Sequence, residues 1–204
     1  MKKIHFNQQD ADIIASRYLE DGKIISFATE TVYGLACDAS NFQAVDELYS
    51  LKKRDQSKPI AIFLKNLEIA QELLEFNDLA LNIAKKYLPG PLTLVLKISN
   101  SSNIKLAKNL NLNEDGFLAF RISDNPFVKK LVDKYQGVMA VTSANISGQE
   151  SATSDIEVEK YFNDSKLDLL ICSGNCGSKI SSTVAKIPSN KLQILRQGQI
   201  FFDL

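Results

Sequence analysis

The chain has 204 residues, 45% of them hydrophobic, and its 24 Lys and Arg are balanced by 24 Asp and Glu. That apolar content suffices for a substantial core in a single domain spanning 1–204, and the balanced charge excludes a global field that would draw the protein to nucleic acid or an anionic membrane, so any basic patch must be local. The opening MKKIHFNQQD lacks the apolar stretch of a signal peptide, and no apolar run approaches the ~20 residues of a membrane span, so a soluble cytoplasmic protein is expected.

The first expected strand is 23–28 (KIISFA). It runs into Thr29, Glu30, Thr31, Tyr33 and Gly34, where apolar residues give way to hydroxyl and carboxylate groups, the composition of a strand end that opens into a polar site. Phe42, Val45, Leu48 and Tyr49 then recur with helical spacing and predict an amphipathic surface helix. A basic cluster, Lys52, Lys53, Arg54 and Lys58, leads into a strand at 59–64. Residues 66–87 divide into two helices, broken near Phe76 and Asn77 and stopped by Pro89, with the turn PGP leading into a strand at 92–98. The Asn-rich stretch 99–113 reads as a surface loop.

A strand at 117–122 follows. Asn125 before Pro126 suits a helix N-cap with proline in the first position, and Phe127, Val128, Leu131, Val132 and Tyr135 give that helix its apolar stripe. The strand at 138–142 ends in TSANISG, and Ser154 with Glu157 matches a capping box. Strands at 167–172, 183–187 and 193–196 complete the chain. Strands interleaved with helices mean α/β, and the short turns between several strands imply a mixed rather than fully parallel sheet.

Several groups could carry chemistry. Lys52, Arg54 and Lys58 at a helix end could gather phosphate oxygens, or simply complement the helix dipole. In TSANISG, small side chains beside glycine let backbone N–H groups approach an anion or sugar, although any surface turn has a similar composition. Ser181, Ser182 and Thr183 head a strand, and Arg196 lies in LRQG. Arg121 interrupts an apolar strand, so it needs either a structural carboxylate or an anionic ligand. Cys172 and Cys176 lack the further Cys or His ligands of a tetrahedral metal site, since His5 is the sole histidine, and free thiols are the better reading. The same shortage argues against a Ser-His-Asp hydrolase. Neither GxxxxGK[ST] nor GxGxxG occurs.

Taken in order, TETVYGL at Thr29, KKR with KP at 52–59, PGPLT at Pro89, Arg121 followed by SANISG at Ser143, and SSTV with LRQG near the end resemble the YrdC/TsaC family of threonylcarbamoyl-AMP synthases. The match runs from Lys23 to Gly198. The resemblance implies a YrdC-like α/β fold, a twisted mixed sheet with flanking helices and a concave ligand-binding face. It implies ATP-dependent synthesis of L-threonylcarbamoyladenylate from L-threonine and bicarbonate or CO2, with release of pyrophosphate, for threonylcarbamoyl modification of the tRNA adenosine beside the anticodon. A tRNA threonylcarbamoyltransferase machinery would receive the product.

By the same resemblance, Thr31, Arg121, Ser143 and Ser182 would hold threonine. Lys52, Arg54, Lys58, Asn145, Thr153 and Arg196 would hold ATP, with Lys52 and Arg54 catalytic. Mg2+ would accompany ATP with no protein ligand assigned. Ala28, Asp55, Phe63 and Ser181 depart from the family pattern, and the end soon after LRQG matches the short form that lacks an extra C-terminal domain. The competing readings are a non-catalytic module that contacts RNA, a paralogue of different chemistry, and a carbamoyl-transfer domain of hydrogenase-maturation type.

Overall fold

The computed structural model describes residues 1–110 and 116–203. Its strands are β1 (Lys2–His5), β2 (Ile25–Ala28), β3 (Tyr33–Asp38), β4 (Ala61–Phe63), β5 (Leu92–Lys97), β6 (Phe117–Arg121), β7 (Met139–Ser143), β8 (Leu169–Cys172), β9 (Thr183–Lys186) and β10 (Gln193–Arg196). Its helices are α1 (Ala11–Glu20), α2 (Phe42–Leu51), α3 (Leu67–Leu73), α4 (Asp78–Tyr87), α5 (Pro126–Tyr135) and α6 (Asp155–Phe162). The strands form one sheet in the order β1-β8-β2-β3-β7-β4-β6-β5-β9-β10. It is mixed: β1/β8, β8/β2, β4/β6 and β5/β9 are parallel, and the other neighbours antiparallel.

All eight strands expected from the sequence are present, and β1, β3 and α1 are additions. After Ala28 the chain forms a hairpin, because β3 pairs back on β2 from Tyr33. Burial of both faces of β3 hides it in the sequence: Tyr33, Leu35 and Cys37 face one core while Gly34 and Ala36 are buried on the other side, so no polar alternation marks it. Edge strand β1 buries only Ile4. In α1 the buried stripe is largely small, Ala11, Ala15, Ser16 and Leu19, and Asp10 makes no side-chain cap bond, which removes the usual start signal.

Local signals act at several starts. Asn41, Asn66 and Asn77 accept from Ala44, Ile69 and Ala80 N–H groups at the heads of α2, α3 and α4. Asn125 accepts from both Phe127 and Val128 N–H groups, with Pro126 opening α5 as expected. Two expectations need correction. Phe42 is 60% exposed, because the buried stripe of α2 runs through Ala44, Val45, Leu48 and Tyr49 and the first residue points off it. The capping box is half formed: Ser154 accepts from the Glu157 N–H, but the Glu157 carboxylate takes the Thr153 N–H and hydroxyl instead. Loop 99–113 is observed as irregular chain with a short 3-10 turn at Lys108–Leu110, its last three residues lying outside the described set.

Helices cover the sheet unequally. On one face α2, α3, α4 and α6 pack against Tyr33, Leu35, Leu92, Leu94, Leu118 and Phe120. On the other, α1 and α5 pack on each other and on Ile25, Phe27, Met139 and Leu169, covering only the β1-to-β7 half. The remaining half, β4 to β10, presents Phe63, Phe117, Ala119, Val95 and Val184 to an open groove. Strand alternation makes this division, since Leu94 and Phe120 face the core while Thr93 and Arg121 face the groove.

Candidate ligand-binding groove

The groove encloses about 310 Å³. Among the described residues three guanidinium groups line it, those of Arg54, Arg121 and Arg196, and no lining residue is Asp or Glu. Such a surface selects anions.

Arg121 ends β6 and is 5% exposed. Its Nε donates to Gly90 O at 3.1 Å, in the PGP turn, and its Nη1 to Thr31 Oγ1 at 3.0 Å. Nη2 lies 2.8 Å from Glu30 Oε1, as an ion pair rather than an aligned hydrogen bond. The Phe63 ring lies 5.6 Å from the guanidinium carbon, within cation–π range. The structural carboxylate that a buried arginine needs is therefore Glu30. Burial would raise the pKa of Glu30, but Arg121, the Ser123 hydroxyl and the Asp124 N–H hold it below the ordinary carboxylate value.

Thr31, fully buried, extends this network. Thr29 Oγ1 donates to Val32 O at 2.7 Å, so in the 2.8 Å contact between the two threonine hydroxyls Thr31 is the donor. Its oxygen is then free to accept from Arg121, and the chain of bonds is polarised in one direction.

Behind β7 lies a second cluster. Lys52, the residue after α2, is 1% exposed, and its Nζ donates to Ser143 O, Asn145 O and Asn145 Oδ1 at 2.5, 2.9 and 3.0 Å. Its own carbonyl accepts from the Ser147 N–H. Asn145 also accepts from Ser143 Oγ and donates to Ile146 O and Gln149 O. TSANISG is thus a braced turn presenting Ser143 to the groove. Burial, with a smaller contribution from the charge of Arg54, lowers the Lys52 pKa to about 7. Three carbonyl oxygens nevertheless match the three hydrogens of its protonated form.

On the opposite wall Ser182 Oγ contacts Thr93 Oγ1 at 2.9 Å. Arg196 forks onto Ser182 O at 3.1 and 2.9 Å and reaches its hydroxyl at 3.2 Å. Gly198 permits this closure, because a Cβ there would stand 2.3 Å from Ser181 O. Burial lowers the Arg196 pKa, and so do the charges of Arg121 and Arg54, so the three cations feel one another across the groove.

The structure therefore brings Thr31, Arg54, Arg121, Ser143, Ser182 and Arg196 to one lining, with Lys52 and Asn145 bracing the turn beneath Ser143. Lys58 is exposed and Thr153 is engaged with Glu157, and neither belongs to the lining. Glu30 and Thr93 escaped the sequence reading as site residues, although each sits inside a motif that it singled out, TETVYGL and PGPLT. Phe63 and Ser181, noted as departures, both line the groove. The three cysteines are free thiols, and Cys176 Sγ donates to Thr31 O at 3.2 Å. Among the described residues no group of three His, Cys, Asp or Glu could hold a metal ion, and no helix is long and apolar enough to cross a membrane.

Residues 17–198 match the model of the Sua5/YciO/YrdC family, described as telomere recombination. A threonylcarbamoyl-AMP synthase of Pseudoalteromonas atlantica is 34% identical over 165 residues, covering 78% of this chain and 83% of the relative. A threonylcarbamoyl-AMP synthase of Pyrococcus abyssi is 32% identical over 186 residues, 91% of this chain and 53% of the relative. The crystal structure of Pyrococcus abyssi Sua5 complexed with L-threonine aligns with a TM-score of 0.86 at 30% identity, covering 97% of this chain and 57% of that one. The chain thus spans little more than half of the archaeal relative and most of the bacterial one.

Proposed function

Because the chain belongs to the Sua5/YciO/YrdC family, we propose that it condenses L-threonine, bicarbonate or CO2, and ATP into threonylcarbamoyl-AMP with release of pyrophosphate. The observation that carries this reading is a single groove in which three guanidinium groups and the hydroxyls of Thr31, Ser143 and Ser182 converge, with no lining carboxylate among the described residues. An amino acid brings a carboxylate and ATP brings a triphosphate. Both need cations in one place.

In this reading the threonine carboxylate lies on Arg121, which still has guanidinium hydrogens beyond those given to Gly90 and Thr31. Ser143 and Ser182 support the amino acid from the two walls. Arg54 and Arg196, with Lys58 at the rim, neutralise phosphate oxygens, and Thr153 and Asn145 act from the neighbouring loop. Lys52 serves the site by holding the Ser143 turn in place. The threonine amine takes up CO2 as a carbamate with loss of a proton, or bicarbonate with loss of water; a carbamate oxygen then attacks the α-phosphorus of ATP and the bond from that phosphorus to the β-phosphate oxygen breaks, releasing pyrophosphate. No protein nucleophile is needed, so catalysis rests on positioning and on charge held ready for the pentavalent phosphorus. Magnesium would accompany ATP and supply charge neutralisation at the phosphates, with no protein ligand assigned. The product is an activated carbamoyl donor, suited to transfer onto a tRNA adenosine beside the anticodon by a separate transferase.

The test is an omission series. Purified protein with magnesium, ATP, bicarbonate and L-threonine should release pyrophosphate, and leaving out threonine or bicarbonate should abolish it. Release that persists without threonine would overturn the reading, and salt-dependent RNA binding with no release would promote the RNA-binding alternative.

A further inference from the structure

Glu30 does not line the groove, yet three loops meet on it. Its Oε1 pairs with Arg121 Nη2 and accepts from the Asp124 N–H at 3.0 Å, while Oε2 accepts from Ser123 Oγ at 2.6 Å. Its backbone carbonyl accepts from the Ser178 N–H at 3.1 Å, and a Cβ on Gly177 would stand 2.3 Å from that same oxygen. The β2–β3 turn, the segment after β6 and the segment after β8 are thereby fixed relative to one another beside Arg121. Arg121 is held at three points, Gly90 O, Thr31 Oγ1 and Glu30, and only the last carries opposite charge.

We propose that Glu30 is a positioning residue for the amino-acid end of the substrate, fixing the plane of the Arg121 guanidinium and, through it, the Thr31 hydroxyl. This rests on the function proposed above. A planar donor meets a carboxylate in bidentate fashion only when its orientation is fixed, and Glu30 adds a charged anchor on Nη2 to the two neutral acceptors that hold Nε and Nη1. Among the described residues Glu30 bonds to Arg121, Ser123, Asp124 and Ser178 and not to Arg54 or Arg196, so its direct influence falls on the amino-acid end. An ordinary stabilising ion pair would weaken both alike.

The experiment uses Glu30→Gln, Glu30→Asp and Ser123→Ala in the full chain. Glu30→Gln should raise the threonine KM by roughly tenfold or more, the scale of one charge-assisted contact, with the ATP KM within about twofold. Glu30→Asp should recover part of the loss. Ser123→Ala, which leaves the ion pair but frees one carboxylate oxygen, should shift the threonine KM in the same direction by a smaller factor, and it decides the matter if Glu30→Gln does not fold. In parallel, the side-chain Nε–H resonance of Arg121, identified by its loss in Arg121→Lys, should be slowly exchanging in the parent and broadened in Glu30→Gln. Folded variants with an unchanged threonine KM, an equal rise in both KM values, or an unaltered Arg121 resonance would each overturn the proposal. A parent protein that releases no pyrophosphate from threonine would instead overturn the proposed reaction, and the resonance would still judge the positioning.

Discussion

Arg54 is steadied by its own loop, its Nε and Nη2 donating to Lys58 O and Pro59 O, and among the described residues no carboxylate pairs with it. Arg54→Ala should raise the ATP KM by roughly tenfold or more while the threonine KM moves by at most about twofold, read from pyrophosphate release with the other substrates saturating. Lys52 makes a different prediction. Its pKa falls from 10.5 to about 7 on folding, so between those values the unfolded chain binds the extra proton and stability rises with pH. Relative to Lys52→Met, the parent should gain stability from pH 7 upward at no more than about 1.4 kcal/mol per pH unit, measured by urea unfolding at several pH values. Contributions from the raised tyrosine and cysteine pKa values are common to both proteins and cancel. A difference that stays flat with pH would show Lys52 protonated throughout. The need of Arg121 for a partner was legible in the sequence, because a guanidinium in an apolar strand cannot be buried alone. The identity of that partner was not, since only the folded loops bring Glu30 to it.

Among elements, the hairpin β9–β10 bears directly on the groove. Gly198 lies against the backbone of Ser181, Ser182 and Thr183, and Thr183 Oγ1 accepts from the Gly198 and Ile200 N–H groups. Gly198→Ala must push backbone from backbone, at a cost of about 1–3 kcal/mol, and in doing so lifts Arg196 off Ser182. Loss of nucleotide affinity alongside a lowered urea midpoint is expected. An alanine variant with parental affinity would show that the segment can shift without disturbing Arg196. Elements with a plain apolar period or a side-chain cap, such as α2, α5 and the strands from β4 to β7, could be read from the sequence. Those with small buried residues, a polar edge or two covered faces, namely α1, β1 and β3, could not, because their burial comes from distant partners and not from their own pattern.

For the molecule as a whole, mutual repulsion among Arg54, Arg121 and Arg196 is relieved when an anion enters. Pyrophosphate at about a hundred times its Kd should add roughly 2.7 kcal/mol and raise the Tm by roughly 5–10 °C, read by thermal unfolding at fixed ionic strength. Arg54→Ala or Arg196→Ala should lose most of that rise, and an equal rise with chloride at the same ionic strength would count against a specific anion site. The mixed character of the sheet was legible. The strand order was not, for β1 pairs with β8 across most of the chain and β5 with β9 across nearly half of it.

That long reach has a temporal side. The groove draws on Thr31 near the beginning and Arg196 near the end, and β10 closes it by pairing with β9 alone. The last wall of the groove is therefore also the last strand of the sheet in chain order, and a ribosome supplies it after every other wall has been synthesised. A groove with all three guanidinium groups can form only once translation has passed Arg196.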